Sequence, residues 1–323
     1  MNMEITNAVN AAGDKAQYDA RVKRLLAQKT ILAHILIKTV DEFKGMRPED
    51  VVPYIEGEPK IGIVPVEPGL TNADGVDVTG QRIIGLNTEN AEINEGLIRF
   101  DIIFYVRMKD GLSQIIVNIE CQKDDPSAYK ILNRAIFYVS RLVSSQKERD
   151  FVNTNYDDIK QVFSIWICMN MGYNSLSHIH LTKDEMLRPY DWKGNLDLLN
   201  IVMVGITNDI PGHDERYELH RLLGALLSSE LKEQEKLEIL EHEYNIPIND
   251  EFREEVKIMC NLSLGIEERA AEKATKKATE RTSEKFILNM YKKGYTLEQI
   301  ADVAETSADV VKTIIGKKSA VQV

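Results

Sequence analysis

The sequence is poor in several residue types, and each shortage excludes a class of protein. Three cysteines, Cys121, Cys168 and Cys260, occur among 323 residues. They are far apart and odd in number, which argues against a disulfide framework and predicts buried free thiols in a reducing cytoplasm. With nine prolines and 18 glycines, the chain is neither collagenous nor of low complexity. Since no apolar run approaches the roughly 18 residues that cross a bilayer, no membrane-spanning helix is expected.

The first residues, MNMEITNAVNAAGDKAQ, lack the basic segment and apolar segment of a secretory signal peptide. Together with the scarcity of cysteine, this predicts a cytoplasmic protein with no membrane partner. The composition, 43% hydrophobic and 28% charged, is that of a globular protein. A chain of this length can bury a substantial core, in one large domain or in two.

Charge is distributed unevenly along the chain, whose formal net charge is −11. Residues 1–265 hold 29 basic and 42 acidic side chains, whereas residues 266–323 hold 11 basic and nine acidic ones. Arg269 to Lys293 alone carries eight basic and three acidic residues. An acidic body with a locally basic helix is compatible with a nucleic-acid partner, which the net charge by itself would argue against.

The apolar pattern predicts a mixed α/β fold. Leu97 to Arg107 and Ser113 to Gln122 are rich in β-branched and aromatic residues, and they predict a hairpin with Asp110-Gly111 at its tip. Residues 56–96 are rich in proline and glycine at their start and predict an irregular segment with one or two edge strands. Further apolar runs predict buried strands at residues 161–171 and 197–205. Helical spacing predicts helices at about residues 19–44, 128–147, 215–229, 231–243, 250–260 and 266–291.

The hairpin is expected to bring acidic side chains together. With a two-residue loop, the numbers of paired positions sum to 221, so Asp101 lies opposite Glu120. Gln122 projects from the same face as Glu120 because the two are two positions apart on one strand. Adjacent carboxylates repel each other, and Mg²⁺ (or Mn²⁺) removes that penalty with waters and phosphate oxygens as its other ligands. The alternative is that one acid merely faces solvent at a sheet edge, and a longer loop would shift the register.

These residues resemble a known signature. Asp101, followed on the adjoining strand by Glu120-Cys121-Gln122, resembles the PD-(D/E)XK nuclease motif in a variant with Gln in place of the usual Lys. The segments NEGLIRFDIIFYVR, IVNIECQ, NRAIFYVSRLVSSQ, NYDDIKQVFSIWICMN and IMCNLS resemble the PD-(D/E)XK nuclease family transposases, relatives of the recombination-promoting nuclease (Rpn) group. The resemblance covers about residues 28–265.

The resemblance implies a restriction-endonuclease-like fold, with a mixed sheet flanked by helices, and metal-dependent DNA cleavage in transposition, recombination or phage defence. It implies that Asp101 and Glu120 bind the metal and that Gln122 orients the attacking water or the scissile phosphate. Replacement of the lysine by Gln122 removes a positive charge from the site.

Sites of this fold often recruit a further acid from the first helix. Glu42 is the candidate metal ligand, and its alternative role is that of a solvated residue at a helix end. Less favoured acids are Glu56, Glu58 and Glu95.

Two further groups of polar residues share a face of a predicted element. Arg134, Tyr138 and Arg141 fall at helical spacing on the helix that follows the motif. Arg134 could bind DNA phosphate or hold a catalytic acid, or it could serve in an ion pair or in packing. His178 and His180 would lie on one side of a strand. No third ligand follows at the usual spacing, which favours a loop or a half-exposed pair over a zinc site.

Residues 266–323 are predicted to form a helical tail, separate from a nuclease-like domain at residues 1–265. The segment LEQIADVAETSADVVKTII resembles a small helix-turn-helix, although Asp309 is unfavourable in a phosphate-lined groove. The alternatives are a solvated helix and a self-association element that makes a homo-oligomer. The tail residues expected to bind DNA are Lys273, Lys276, Lys277 and Arg281.

Two functions therefore remain open at the level of sequence. The first is a Mg²⁺-dependent DNA endonuclease, which the Asp-Glu-Gln set favours. The second is a nuclease fold that has lost cleavage and serves as a DNA- or protein-binding module, which the absent lysine and the acidic body favour.

Overall fold

The computed structural model divides into two compact units, which are described separately. One comprises residues 16–261 and is called the sheet unit; the other comprises residues 262–323 with residues 1–15 and is called the C-terminal unit. The described residues are 14, 16–61, 73–76, 82–84, 89–92, 96–99, 101–107, 114–122, 130–147 and 150–319.

Ten strands are found among these residues, and six of them form one sheet at the centre of the sheet unit. The strands are β1 Ile55–Ile61, β2 Ala73–Val76, β3 Arg82–Ile84, β4 Glu89–Glu92, β5 Gly96–Arg99, β6 Ile102–Arg107, β7 Gln114–Gln122, β8 Val162–Cys168, β9 Ser175–His180 and β10 Leu199–Gly205. The large sheet has the order β1-β6-β7-β8-β10-β9, while β2 pairs with β3 and β4 pairs with β5. Within the large sheet β8 is parallel to both β7 and β10, and the remaining pairs are antiparallel.

Helices flank the sheets, so the predicted α/β class is confirmed at this level. The described helices are α1 over residues 16–26, α2 Lys29–Thr39, α3 Pro48–Val51, α4 Ile131–Ser144, α5 Glu218–Leu227, α6 Glu233–His242, α7 Asp250–Lys292, α8 Leu297–Val303 and α9 Ala308–Ser319. No helix in the described ranges combines the length and the apolar character that a membrane span requires.

The packing of α4 on the sheet follows from its apolar stripe. Ala135, Val139 and Leu142 recur at helical spacing and are fully buried. They pack in one cluster with Trp166 of β8 and Tyr105 of β6. Burial of an aromatic side chain of this size contributes roughly 2–3 kcal/mol to stability, so this contact fixes α4 over the middle strands.

The helix predicted over residues 19–44 is interrupted. Gln28 is extended, with φ −62° and ψ 127°, so α1 and α2 are separate helices. Leu26 and Ile31, on either side of the interruption, are both completely buried. The apolar periodicity therefore continues through the break, and only tertiary packing distinguishes two helices from one. The predicted helical segment ends in a 3-10 turn, Asp41–Phe43, where the sequence had predicted α-helix.

The segment from Leu97 to Arg107 forms two strands rather than one. Residues 96–99 pair with β4, whereas Ile102–Arg107 pair with β1 and β7. The two halves of the segment belong to different sheets, and the chain bends between them at Asp101. The region of residues 56–96 likewise holds more strands than the one or two expected, since β2, β3 and β4 follow β1.

The helix α7 continues through residues 260–266, where the sequence had predicted an end and a new start. Gly265 lies within it, and one glycine costs a helix only about 1 kcal/mol relative to alanine. Cys168 is a buried free thiol, as predicted, whereas Cys260 is a free thiol that is partly exposed rather than buried. The side chain of Cys121 lies outside what the structure describes.

Candidate functional site

The register of β6 and β7 agrees with the pairing predicted for the hairpin. The ladder runs from Arg107 opposite Gln114 to Ile102 opposite Ile119, so the paired numbers sum to 221 as predicted. Asp101 lies at the bend directly before β6, and Glu120 is the residue of β7 that follows the last observed pair, Ile102 with Ile119. The turn expected at Asp110-Gly111 lies outside the described residues.

A lysine from the first helix contacts Asp101. The Nζ of Lys23 lies 2.8 Å from Oδ1 of Asp101, and the two side chains are only 15% and 16% exposed. The same ammonium lies 2.6 Å from Oδ2 of Asp19, one helical turn earlier. The structure thus brings a cation to the acid of the motif, from a part of the chain that the strand motif does not include.

The electrostatics of this contact keep Lys23 charged. Burial alone would lower the pKa of its amine, but the negative charges and hydrogen bonds of Asp101 and Asp19 outweigh burial and raise that pKa well above its usual value. An ammonium that is charged throughout the physiological range compensates Asp101 permanently. The ammonium therefore offsets part of the negative charge that Asp101 and Asp19 bring to the site.

Arg134 lies over the strand position next to Glu120. In the parallel pairing of β7 with β8, Glu120 aligns with Trp166. The guanidinium carbon of Arg134 is 5.4 Å from the ring centroid of Trp166 and 4.6 Å from that of Tyr138. Its Nη2 also donates a hydrogen bond to the Tyr138 hydroxyl at 2.7 Å. Cation–π contact and this hydrogen bond fix Arg134 above the register partner of Glu120.

The inward face of α4 agrees with the predicted spacing. Arg134 and Tyr138 are half-buried, and Arg141 is buried, so all three lie on the side of α4 that faces the protein. Tyr138 contacts Trp166 with ring centroids 5.7 Å apart. The indole N–H of Trp166 donates to the hydroxyl of Ser164 at 2.9 Å, which satisfies the buried polar atom.

Gln122 aligns with Cys168 on β8 and ends β7. Its side chain, like that of Glu120, lies outside what the structure describes. The backbone positions of Asp101, Glu120 and Gln122 nevertheless fall at one end of β6 and β7, as the hairpin predicts.

The remaining acidic candidates occupy different settings. Glu42 is half-buried in the turn Asp41–Phe43. Glu56 is buried on β1 and forms an ion pair with Arg107, which gives it a structural partner. Glu58 pairs with Lys29 at 3.5 Å but is 84% exposed, and Glu95 lies outside the described residues.

The donor atoms of the candidate site are of the type that binds a divalent metal ion. Within the described ranges, no group of three or more His, Cys, Asp or Glu side chains is arranged to hold a metal ion. Asp101 and Glu120 at adjacent positions provide carboxylate oxygens, the donors that Mg²⁺ prefers. This donor type fits a hard cation, and Lys23 shows that positive charge is favourable at Asp101.

The two histidines of β9 form a stacked pair, as expected from their spacing. The rings of His178 and His180 are 4.9 Å apart with an interplanar angle of 20°. Both side chains are exposed, and Nε2 of His178 lies 2.9 Å from Oδ1 of Asn200. An amide partner, rather than a third metal ligand, holds the pair.

The DNA-binding candidates of the tail lie along α7. Arg281 is exposed. Lys273, Lys276 and Lys277 belong to the same helix, and their side chains lie outside what the structure describes.

Lys23 and Asp19 are the site residues that the sequence reasoning missed. Both lie on α1, and Lys23 falls next to Val22, which is buried. A lysine at the margin of an apolar stripe, paired with an aspartate four residues earlier, is a signal that a charged group is used at a buried surface.

Comparison with known proteins leaves the geometry as the only guide. No protein-family model, no curated protein and no solved structure matches the chain.

Proposed function

We propose that the sheet unit is a metal-dependent DNA endonuclease of the PD-(D/E)XK type that hydrolyses phosphodiester bonds. The observation that supports it best is the contact of Lys23 with Asp101, at the bend where β6 begins and at the end of the β6–β7 ladder that precedes Glu120. Two acids and a cation at one point are the groups that hydrolysis of a phosphodiester requires. The motif carries the acids, and α1 supplies the cation that Gln122 lacks.

Each side chain has a distinct task in this proposal. Asp101 and Glu120 would hold Mg²⁺ or Mn²⁺, which when bound lowers the pKa of water and offsets charge on the phosphate. Lys23 orients the Asp101 carboxylate through the 2.8 Å contact and presents positive charge to the scissile phosphate. Gln122, which is neutral, would orient the attacking water by hydrogen bonding.

Arg134 would contribute binding rather than chemistry. Its guanidinium is held over Trp166 and Tyr138, so little side-chain freedom remains to be lost on phosphate contact. Such a contact would position DNA without reading its sequence. In the cell this activity would serve transposition, recombination or phage defence.

A second candidate function is a nuclease fold that binds DNA or protein without cleaving it. The same ion pair favours it, because Lys23 already compensates Asp101 and the folded state needs no metal at that carboxylate. In that case the ammonium would be a permanent structural partner of the acid. The two functions differ in one measurable property, the metal-dependent cleavage of DNA.

Nicking of a supercoiled plasmid in Mg²⁺ or Mn²⁺ tests the proposal directly. We expect the wild-type protein to nick, Asp101→Ala to be inactive, and the control Asp184→Ala, at an exposed loop position, to match the wild type. Nicking by Asp101→Ala at the wild-type rate would overturn the site. Binding of the plasmid by the wild type without nicking in either metal would select the second candidate.

A further inference from the structure

The C-terminal unit contains a small helical core of its own. Ile287 near the end of α7, Ile300 and Ala301 of α8, and Val311 of α9 are buried against one another. Half-buried residues on the same helices complete the cluster: Met290, Leu297, Ala304, Ala308, Ile314 and Ile315. Three helices of this kind, packed through one apolar face each, hold α8 and α9 in a fixed mutual arrangement.

Hydrogen bonds cap the starts of α8 and α9, and a tight turn connects the two helices. The helix α8 begins with a capping box, in which the Thr296 hydroxyl accepts from the Gln299 N–H at 3.3 Å and the Gln299 side chain accepts from the Thr296 N–H at 3.0 Å. The turn includes Glu305 in the left-handed region, with φ 48°. The N–H of Val310 donates to the Ser307 hydroxyl at 3.3 Å, which caps α9.

The order of these parts is that of a helix-turn-helix. In that motif the second helix enters the major groove of DNA and the first crosses the backbone. Here α8 has seven residues and α9 has 12. A helix of this length is about 18 Å long, enough to lie in a groove about 12 Å wide.

The outer face of α9 carries the residue types that read base edges. Val311 is buried, whereas Asp309 and Thr313 are exposed on the opposite side of α9 and Lys312 is exposed beside them. Lysine donates to guanine, threonine contacts several bases, and aspartate accepts from cytosine N4.

The last turns of α7, in the same unit, carry exposed basic side chains. Arg281, Lys285, Lys292 and Lys293 are exposed along the last turns of α7, which contributes Ile287 to the same core. These side chains can neutralise phosphates, the contacts that supply most of the affinity for DNA. Asp309 opposes phosphate binding, but in the first turn of α9 it also stabilises the positive end of the helix dipole.

We propose that α8 and α9 form a DNA-binding helix-turn-helix and that α9 reads base pairs in the major groove of duplex DNA. The proposal does not depend on cleavage by the sheet unit. It gives the chain a means of choosing sequences, which the phosphate contacts of Arg134 and α7 cannot supply.

The test is selection of duplexes from a random pool by the full-length protein in EDTA, where metal-dependent cleavage is suppressed. We expect one sequence to be enriched and to bind at least tenfold more tightly than a scrambled duplex. Lys312→Ala and Thr313→Ala should each lose on the order of tenfold in affinity for the enriched duplex, the usual effect of removing one base contact. The control Lys257→Ala removes an exposed lysine of α7 in the sheet unit and should leave that affinity unchanged.

A third variant makes the assignment sharper. Asp309→Asn removes a negative charge from α9, so we expect it to raise affinity for every duplex and to relax the preference at one base pair. Circular dichroism of the variants checks that the helices remain, which is expected because all three positions are exposed.

Two results would overturn the inference. The first is the absence of any enriched sequence; the second is wild-type affinity in both Lys312→Ala and Thr313→Ala. If these variants differ from the wild type in solution mass but not in DNA affinity, the exposed face of α9 binds a second copy of the chain instead. The selection is carried out in EDTA, where metal-dependent cleavage is suppressed, so failure of this inference and failure of the proposed cleavage are separately visible.

Discussion

The ammonium of Lys23 and the carboxylate of Asp101 lie 2.8 Å apart, at the point where the chain bends into the central sheet. Lys23 comes from α1, and its partner directly precedes β6. The contact is shielded, since each side chain is less than a fifth exposed. A shielded pair is screened less than a surface pair, so this one affects both the stability of the fold and the charge of the candidate site.

The first prediction concerns stability. Lys23→Ala leaves Asp101 and Asp19 without their shared cation, and we expect it to lower the free energy of unfolding by about 1–3 kcal/mol. Lys29→Ala is the matched control, because Glu58, the partner of Lys29, is 84% exposed; it should cost at most about 1 kcal/mol. Urea denaturation of both variants measures the free energy of unfolding. Equal losses in the two variants would show that the Lys23 contact stabilises the fold no more than the exposed Lys29 pair does.

Mg²⁺ should change the melting temperatures of Lys23→Ala and Lys29→Ala by different amounts. If a divalent ion binds at Asp101, it replaces the missing ammonium, so Mg²⁺ should raise the melting temperature of Lys23→Ala more than that of the wild type or of Lys29→Ala. The measurement is thermal unfolding with Mg²⁺ and with EDTA. An identical shift in all three proteins would argue against a metal site at this carboxylate.

The second prediction concerns the two acids. Asp101→Ala and Glu120→Ala should each abolish metal-dependent cleavage, while the fold survives. In Asp101→Ala, Lys23 keeps its 2.6 Å contact with Asp19, so the lysine is not left buried without an anion. Plasmid nicking and circular dichroism check the two parts. Persistent cleavage in both purified variants would contradict the assignment of the site.

The register of β6 and β7 could be predicted because it is local. Counting outward from a two-residue loop predicts which residues oppose each other, and the observed pairs from Arg107 with Gln114 to Ile102 with Ile119 agree. The shared face of Arg134, Tyr138 and Arg141 was predictable for the same reason, since helical spacing is a local property.

The contact of Lys23 with Asp101 could not be predicted in this way. It depends on how α1 packs against the start of β6, and no spacing in the sequence encodes that distance. The division of Leu97 to Arg107 has a similar cause. Its two halves have the same strand-forming composition, and only pairing with β4 on one side and with β1 and β7 on the other separates them. Tertiary contacts therefore decided the features that local patterns left open.

The third prediction concerns Gln122. Gln122→Lys places a cation where the family motif usually has one, and we expect cleavage to be kept or raised. The sharper test is the double variant. If Lys23 supplies the missing charge, Gln122→Lys should restore cleavage to Lys23→Ala by tenfold or more, a coupling that independent residues would not show. Nicking rates of the wild type, both single variants and the double variant complete the cycle.

If the effects of the two substitutions on the nicking rate are additive, Lys23 has a structural role only. Complete loss of cleavage in Gln122→Lys with metal binding intact would show that the amide has a role that an ammonium cannot replace.

The last prediction concerns the basic helix. Truncation after Gly265 would cut through the continuous helix α7, so charge removal is the cleaner experiment. Residues 1–265 carry 29 basic and 42 acidic side chains, and DNA binding should therefore rely on local cations such as Arg281 and Lys285. Arg281→Gln and Lys285→Gln should each lower the log–log salt slope of DNA affinity by about 0.9 for one lost phosphate contact. They should do so for every DNA sequence alike, because phosphate contacts carry no base information. Lys257→Gln, in the part of α7 that belongs to the sheet unit, is the control and should leave the slope unchanged. If both α7 variants also keep the wild-type slope, the basic stretch serves self-association instead, and a lower solution mass of the variants in sedimentation would demonstrate that role.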